Sequence, residues 1–329
     1  MNQILVVDFN IQKGHINFNK KILELLGKNG EITFLSSESY VKNIGFKNSM
    51  SLPDTMFSYK SKYVFVIKQI FLILHVIKHY VKKYRYEKVV ILGYENMSFS
   101  LVWHIVKVPT YTFVHNNLSR GKLSLYFFRL ISNNVSHILL SNSIIFYLEK
   151  KVSNKLFYLP HPINPNISNL NKILGRDNVI FSPSSSSNSI EIENFCEAIR
   201  NQSIYKFVGR SDEIINEDNI ELKPYFDNFE TLLQKASFIF ISFNYNYRVS
   251  GVFYDSMTLN KPIIITNNSG AFLKEMAILY PNSVYLVSKF DQINEIEIDH
   301  YNKGKEHNIF INNHKDELLA EKLVNILKL

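Results

Sequence analysis

The chain has one cysteine, Cys196, among 329 residues. A single thiol cannot form an internal disulfide, which excludes the disulfide-stapled scaffolds of small secreted proteins. The first acidic residue, Asp8, comes before any apolar run long enough to act as a secretory signal. These two features predict a protein of a reducing, cytoplasmic compartment.

Several functional motifs are also missing. No Gly-x-Gly-x-x-Gly follows an apolar run, and no Walker Gly-Lys-Ser or Gly-Lys-Thr loop is present, which disfavours dinucleotide oxidoreductases and P-loop enzymes. No group of cysteines and histidines has zinc spacing. An acid-x-acid run, Glu295, Glu297 and Asp299, alternates with isoleucine and is typical of the wet face of an extended segment. We expect neither a metal ion nor an organic cofactor.

Glycine is sparse, at 11 residues, but 46% of the chain is hydrophobic. Apolar runs alternate with amphipathic segments almost to the end, which argues against disorder. A chain of this length is expected to form two domains, each with its own core. Lys and Arg exceed Asp and Glu by 37 to 29, so the surface should attract anions such as nucleotides, acidic lipids or nucleic acid. Dispersed basic residues without a recognition motif disfavour nucleic acid.

The periodicity predicts an α/β fold with two doubly wound, Rossmann-like domains. The predicted strands of the first half are Gln3–Val7, Ile32–Leu35, Lys88–Leu92, Thr110–Val114, His137–Leu140 and Leu156–Leu159. Those of the second half are Val179–Ser182, Tyr205–Val208, Ser237–Ile241, Pro262–Ile265 and Val284–Val287. The predicted helices are Ile16–Gly27, Gly121–Ile131, Asn188–Arg200, Phe229–Ala236 and Gly251–Leu259.

The domain boundary is expected at Leu159–Pro165, where three prolines in seven residues can continue neither a helix nor a central strand. The expected domains are residues 1–163 and 164–312. Residues 313–329 are expected to form a terminal helix with one apolar side, which must dock on an apolar surface. The first domain is one candidate for that surface.

The segment Tyr63–Val81 is about as long as a bilayer requires. Basic residues interrupt it, and most of them fall along one helical face: Lys68, His75, Lys78, His79 and Lys82. We therefore do not expect it to span a membrane. Two interpretations stay open, a helix lying on an anionic lipid surface and a half-buried helix packed on the first sheet.

The most informative stretch is Ser250–Ile265, which reads SGVFYDSMTLNKPIII. It predicts a turn, a short helix and a buried strand, an order that presents free helical N–H groups at the carboxyl edge of a parallel sheet. A phosphate there would receive N–H bonds at Gly251, where no side chain obstructs approach, and a hydroxyl from Ser250. Asp255, about one turn further, could accept both ribose hydroxyls. The alternative is an N-capped helix with a solvated Asp255.

This second half resembles the nucleotide-sugar-binding domain of GT-B glycosyltransferases, especially the retaining enzymes of bacterial polysaccharide and lipopolysaccharide synthesis. These enzymes often read acid, seven residues, acid, then a small-residue helix and Gly-Lys-Pro-Val-Ile. Asp255 matches the second acid, and Lys261–Ile263 matches the Lys-Pro-Val after the helix. Tyr247 stands at the position of the first acid, whereas Ser250 and Gly251 fit a subset with Ser-Gly in this turn.

The resemblance implies further site residues. Pro224 and Tyr225 would lie near the nucleobase, and Asn268–Gly270 with Glu275 match the next small-residue turn and acid. In the first half, Gly14 and His15 follow the first strand as the acceptor loop does. His115 resembles a histidine that faces the donor sugar, and we assign it and Arg248 catalytic roles. His161 takes the place of a frequent asparagine and is interpreted as structural.

One departure concerns the donor diphosphate. Where many members carry an Arg and a Lys, this chain has the serine-rich loop Ser182–Asn188, so Ser184 and Ser185 are the phosphate contacts it offers. Hydroxyls bind phosphate without supplying the positive charge that stabilises a departing nucleoside diphosphate. Arg248 and Arg210 are the candidates for that charge.

The resemblance implies a glycosyltransferase that moves a sugar, with retention, from a nucleoside diphosphate sugar to a hydroxyl of a growing bacterial surface glycan such as O-antigen or capsule. The second domain would bind the nucleotide sugar and the first an oligosaccharide or lipid-linked acceptor, at the cytoplasmic face of the membrane. Two alternatives stay open: a nucleotide-sugar epimerase of the same fold and a catalytically degenerate partner subunit.

Overall fold

The computed structural model describes residues 3–58, 61–115, 117–118, 122–164, 167, 177–184, 189–202 and 204–329. The chain divides into two compact units. The first comprises Met1–Pro162 and His314–Leu329, and the second comprises Ile163–Asn313.

The first unit contains a seven-stranded parallel sheet in the order β3-β2-β1-β4-β5-β6-β7. Its strands are β1 (Gln3–Asp8), β2 (Glu31–Ser37), β3 (Ser49–Leu52), β4 (Lys88–Gly93), β5 (Thr110–Val114), β6 (Val135–Leu139) and β7 (Leu156–Tyr158). Its helices are α1 (Ile16–Gly27), α2 (Glu38–Ile44), α3 (Lys62–Val76), α4 (Asn96–Val102), α5 (Lys122–Arg129), α6 (Asn142–Leu148) and the terminal α12 (Asp316–Leu327). The helix α3 continues through a π-helical turn, Ile77–Val81, to Lys82–Tyr84.

The strand order places these helices in two layers. Right-handed crossovers put α3, α4, α5 and α6 on one face of the sheet and α1 and α2 on the other. In agreement, α3 packs against α4 and α4 against α5, whereas α1 packs against α2 and α12. The central strands are buried along nearly their whole length, as expected for a sheet covered on both faces.

The second unit repeats this plan in the order β10-β11-β9-β8-β12-β13-β14. Its strands are β8 (Asp177–Ser182), β9 (Lys206–Arg210), β10 (Ile215–Glu217), β11 (Ile220–Lys223), β12 (Ala236–Phe240), β13 (Ile263–Thr266) and β14 (Val284–Val287). Its helices are α7 (Ser189–Gln202), α8 (Phe229–Lys235), α9 (Gly251–Thr258), α10 (Ala271–Leu279) and α11 (His300–Asn313). All pairs are parallel except the edge hairpin β10–β11. The predicted doubly wound α/β architecture is thus confirmed.

The terminal helix α12 packs within the first unit. Its apolar side is buried through Leu319, Leu323 and Leu327, and Lys21 Nζ donates to the carboxylate of Asp316 at 2.6 Å. The partly exposed ion pair contributes little stability by itself. Burial of the apolar side of α12 is therefore the main force that holds this helix on the unit.

The helix that begins at Lys62 packs on the sheet of the first unit. Leu72, Ile73 and Val76 are buried, and Gln69 Nε2 donates to the Phe9 carbonyl at 2.9 Å. By length and composition, Val64–Tyr84 is the one helix of the described residues that could cross a membrane, with 39% of its most apolar window buried in the protein. Its inner side is occupied by the sheet.

Candidate functional site

The sheet of the second unit has a topological switch point between β8 and β12. From β8 the chain proceeds to β9 on one side, whereas β12 leads to β13 and β14 on the other. Ligands of doubly wound sheets bind beyond the carboxyl ends of the strands at such a point. Here Ser182 ends β8 and Ser242 follows β12, and both side chains are buried. Neither hydroxyl has a hydrogen-bond partner within the described part of the chain.

The loop between β12 and α9 is held in place by a glycine of the neighbouring turn. The Gly270 N–H donates to the Phe243 carbonyl at 3.1 Å. A Cβ atom at Gly270 would collide with the backbone carbonyl of Tyr245. The small-residue turn after β13 therefore fixes the loop that leads into α9.

Gly270→Ala is expected to lower the free energy of unfolding by about 1–3 kcal/mol, because the added methyl meets backbone that cannot rotate away. Urea unfolding measures this difference. Gly304→Ala is the matched control, since a Cβ there has nothing within 4 Å. Equal stability of the two variants would show that the loop does not depend on Gly270.

Ser250 is the N-cap of α9. Its backbone is extended, and its Oγ accepts a hydrogen bond from the Phe253 N–H at 3.2 Å. The N–H groups at the start of a helix have no intrahelical acceptor, so those of Gly251 and Val252 remain for a ligand. A Cβ atom at Gly251 would have open space around it. This helix end is capped by its own serine and accessible at its first residue.

Asp255 lies in the second turn of α9 and is partly buried. Burial raises the pKa of its carboxyl to about 7, and the negative charge of Glu230 acts in the same direction. The carboxyl is therefore divided between its neutral and ionised forms near neutral pH. Hydroxyl donors of a ligand would favour the ionised form and lower this pKa.

Arg248 precedes the cap and is partly buried. Its guanidinium lies 5.9 Å from the ring centre of Tyr245. Burial lowers the pKa of Arg248, but a guanidinium keeps its charge in proteins. Tyr247, beside it, is also partly buried. By contrast, Lys261 Nζ donates to the carbonyls of Gln234 and Ala236, a structural use of this cation.

Arg210 and Pro224 are brought together at the ends of β9 and β11. Arg210 Nε donates to the Pro224 carbonyl at 2.7 Å, and both residues line a cleft of about 420 Å³. The ring of Tyr225, next in the chain, is 67% exposed. The described walls of this cleft do not include Ser250 or Asp255. Arg210, predicted to serve the diphosphate, thus lies against Pro224, which was predicted to lie near the nucleobase.

Of the serine-rich loop, Ser184 is partly buried and Ser185 lies outside the described residues. Sequence reasoning missed a buried acid that follows this loop. Glu191, in the first turn of α7, is 4% exposed, and its Oε1 accepts from Asn268 Nδ2 at 2.6 Å. A carboxylate at the start of α7 disfavours phosphate there. The open end of α9 is therefore the more favourable phosphate position.

In the first unit, His115 at the end of β5 is buried. Its ring centre lies 4.4 Å from those of His15 and Phe18. Burial holds the pKa of His115 well below its usual range, so the ring is neutral at pH 7. Its Nε2 has no hydrogen-bond partner within the described residues. Gly14, beside His15, is exposed.

His161 belongs to the same aromatic group, with its ring centre 5.0 Å from that of Phe18. Its Nδ1–H donates to the Pro162 carbonyl at 2.7 Å. Burial lowers the pKa of His161 to about 3. A neutral ring bonded to the backbone is compatible with the structural role we assigned to it.

Asp8 was not among the predicted site residues. It ends β1 at the switch point between β1 and β4, and its carboxylate accepts from Asn19 Nδ2 at 2.6 Å and the Asn10 N–H at 2.8 Å. Burial raises the pKa of Asp8 to about 6. Gly93 leaves the space this carboxylate needs, since a Cβ there would lie 2.5 Å from Asp8 Oδ1. The sequence did contain a signal for Asp8, because an acidic residue directly after a buried strand often lies at a ligand site.

No protein-family profile and no curated protein sequence matches the chain. Solved structures do match. A glycosyltransferase from Rickettsia africae aligns over 99% of this chain and 98% of its own, with a TM-score of 0.70 and 14% identity. The chain has the GT-B fold. HepE from Anabaena, solved in complex with UDP, aligns over 100% of both chains with a TM-score of 0.68 and 10% identity.

Enzymes of a second class have the same fold. The UDP-GlcNAc 2-epimerase of Neisseria meningitidis, solved with UDP-GlcNAc, aligns over 100% of both chains with a TM-score of 0.59 and 14% identity. At these identities the likeness establishes the fold alone. Among the described residues, no three His, Cys, Asp or Glu side chains are grouped to hold a metal ion.

Proposed function

We propose that this protein is a glycosyltransferase that moves a sugar from a nucleoside diphosphate sugar to an acceptor hydroxyl. One observation carries the proposal: a partly buried carboxyl, Asp255, follows a helix end at Gly251 that is open to a ligand. The Asp255 carboxyl fits the hydroxyls of a ribose, and the helix end at Gly251 fits a diphosphate. The GT-B neighbour HepE, solved in complex with UDP and with UDP and glucose, supports a nucleotide-sugar donor.

In the proposed reaction, the bond between the anomeric carbon and the diphosphate oxygen breaks as the acceptor oxygen bonds to that carbon. Negative charge develops on the departing oxygen, where the Gly251 N–H and Arg248 stabilise it. We propose that this oxygen also takes the acceptor proton, which gives retention without a separate base. The neutral His115 would contact the sugar rather than carry charge.

We assign the acceptor to the first unit, near Gly14 and His15. The proposed acceptor is a lipid-linked bacterial surface glycan, and the proposed location is the cytoplasmic face of the membrane. The basis is the net positive charge of the chain, +8, which favours an anionic surface. No metal or organic cofactor enters this proposal.

A panel of nucleoside diphosphate sugars, screened by thermal denaturation, tests the donor class, because a ligand that binds only the folded chain raises its melting temperature. A rise of several degrees with one nucleotide and with its sugars is expected. No shift with any of them at millimolar concentration would refute a donor site.

An epimerase is the second candidate, because enzymes of that class have the same fold. It would convert the stabilising nucleotide sugar without any acceptor, whereas a transferase consumes the donor only when an acceptor hydroxyl or water is glycosylated. Nuclear magnetic resonance of the donor alone separates the two, since an inverted ring carbon changes the proton couplings of the sugar.

Arg248→Gln is expected to slow turnover roughly 100-fold with little change in donor binding, since its charge acts mainly on the departing oxygen. Single-turnover rates and donor titrations measure the two effects. Arg210→Gln is the comparison, because that guanidinium donates to the Pro224 carbonyl, and we expect a smaller change. If Arg210→Gln is the slower enzyme, the catalytic charge belongs to Arg210.

A further inference from the structure

The positive charge of this chain is concentrated in one part of the first unit. Residues 55–148 contain twelve lysines and arginines but two acids, Glu87 and Glu95. This excess is larger than the net charge of the whole chain, +8. The Glu95 carboxylate also accepts the Met97 and Ser98 N–H groups at 3.0 and 2.8 Å. It is therefore committed to the start of α4.

The outward side of α3 is apolar. Large apolar side chains are exposed at a spacing that places them on one helical side: Val64, Ile67, Phe71 and Leu74. Phe71 is the most exposed of them, at 65%. The same side continues into the exposed Lys78 and Lys82. An apolar ridge thus leads directly into a basic end.

The two neighbouring helices of this layer extend the apolar surface. Their exposed large apolar side chains are Leu101 and Ile105, in and just after α4, and Leu123, Tyr126 and Leu130, in and just after α5. Basic side chains accompany them: Lys107, Lys122 and Arg129. Among the described residues up to 58, which include α1 and α2, no large apolar side chain is exposed. The apolar surface is therefore confined to one layer of the unit.

We propose that the outer face of α3, α4 and α5 docks on the surface of an anionic lipid bilayer. The apolar side chains would enter the boundary between headgroups and acyl chains while the lysines and arginines contact anionic headgroups. A second copy of this face fits poorly, because two surfaces with the same sign of charge repel each other. The helix lies on the bilayer rather than crossing it, because its inner side packs on the sheet.

Not every basic residue of α3 and its continuation is available to a lipid headgroup. Lys68 Nζ donates to the carbonyls of Ser58 and Thr55, at 2.8 and 3.2 Å. Its charge serves the preceding loop, so Lys78 and Lys82 are the basic residues of α3 and its continuation that we assign to lipid. This inference needs no donor site. It deepens the proposed function by placing the chain where a lipid-linked acceptor would be found.

Co-sedimentation with vesicles tests the proposal on the full chain. Strong binding is expected to vesicles of phosphatidylglycerol and phosphatidylcholine, with weak binding to phosphatidylcholine alone and a marked loss at high salt. Lys78→Gln with Lys82→Gln is expected to weaken binding roughly 25-fold, since each surface cation contributes about fivefold. Ile67→Ser with Phe71→Ser should weaken it at least as much.

Matched controls come from other surfaces of the chain. Lys20→Gln with Lys28→Gln removes two exposed charges of α1 and its C-cap, and Ile278→Ser with Ile309→Ser removes two exposed apolar side chains of the second unit. Both pairs are expected to leave vesicle binding unchanged. Circular dichroism melts verify that every variant folds.

Four results would overturn the proposal. These are no binding to anionic vesicles at low salt, equal binding to neutral vesicles, test variants that bind as the controls do, and self-association abolished by Phe71→Ser without vesicle binding. Nucleotide binding by the same variants separates this proposal from the donor site. If the protein binds vesicles but no nucleotide, the docking surface is supported and the transferase assignment is wrong.

Discussion

Asp255→Asn is expected to stabilise the free protein above pH 7 and, at the same time, to weaken its binding of the nucleoside diphosphate roughly 100-fold. Both effects arise from one carboxyl, whose pKa burial raises to about 7. The unfolded chain binds this proton with an ordinary pKa near 3.8. The native state therefore holds the proton more tightly than the unfolded state between these values.

The buried Asp255 carboxyl makes the protein less stable at higher pH. Because the native state binds more protons, the free energy of unfolding falls as pH rises from about 4 to about 7, and the full penalty remains above pH 7. An asparagine has no charge to bury, so the variant should gain about 1–3 kcal/mol at pH 8. Urea unfolding at pH 5 and pH 8 measures this gain, which should be smaller at pH 5, because only part of the interval between the two pKa values has then been crossed.

Ligand binding should show the opposite preference. Ribose hydroxyls donate to the ionised carboxylate, so nucleotide affinity of the unchanged protein should rise between pH 6 and pH 8. Calorimetric titration with UDP, or with the nucleotide that best stabilises the chain, is expected to show this rise in the wild type and a flat profile in Asp255→Asn.

Asp299→Asn is the control, because this exposed carboxylate caps α11 by accepting the Tyr301 and Asn302 N–H groups. An asparagine oxygen can accept the same two hydrogen bonds, so Asp299→Asn should change stability little and leave nucleotide binding unchanged. If Asp255→Asn neither stabilises the free protein nor weakens binding, the ribose assignment is wrong.

The elements predicted most accurately are those whose sequence pattern matches their burial. The bounds of α1, β5 and β14 agree with the structure, and those of the other predicted strands and helices lie within about two residues. Three strands were missed, β3, β10 and β11. β3 and β10 are edge strands and β11 lies next to β10. All three are short and carry polar residues, so they lack the apolar runs that identify central strands.

The residues of the candidate site also fall into two groups, those that a local sequence pattern predicts and those whose partners lie far along the chain. Ser250 was expected to open a helix, because a serine before such a run is a common cap, and the structure has it as the N-cap of α9. Asp8 had a sequence signal, its position after a buried strand, that was not used. Glu191 could not be assigned from the sequence, since its environment depends on Asn268, which is distant along the chain. The structural role of Lys261 could not be predicted either, because the carbonyls that its Nζ contacts belong to a distant part of the sequence.

Gly251→Val is expected to abolish most binding of the nucleoside diphosphate, roughly 100-fold, while leaving the protein folded. A side chain at this position meets no protein atom within 4 Å, so the cost to stability should stay below about 1 kcal/mol. It would, however, occupy the space through which a phosphate reaches the first N–H groups of α9. Each charge-assisted bond to phosphate contributes about 1.5–3 kcal/mol, and two of them are lost.

The nucleoside without phosphates makes this experiment specific. Because Gly251 is assigned to the diphosphate and Asp255 to the ribose, Gly251→Val should weaken UDP binding but leave uridine binding unchanged, whereas Asp255→Asn should weaken both. Gly304→Val, the matched control in α11, adds the same side chain where a Cβ also has nothing within 4 Å and should alter neither. If Gly251→Val binds UDP as the wild type does, the diphosphate lies elsewhere on the second unit, and the start of α9 is only a capped helix.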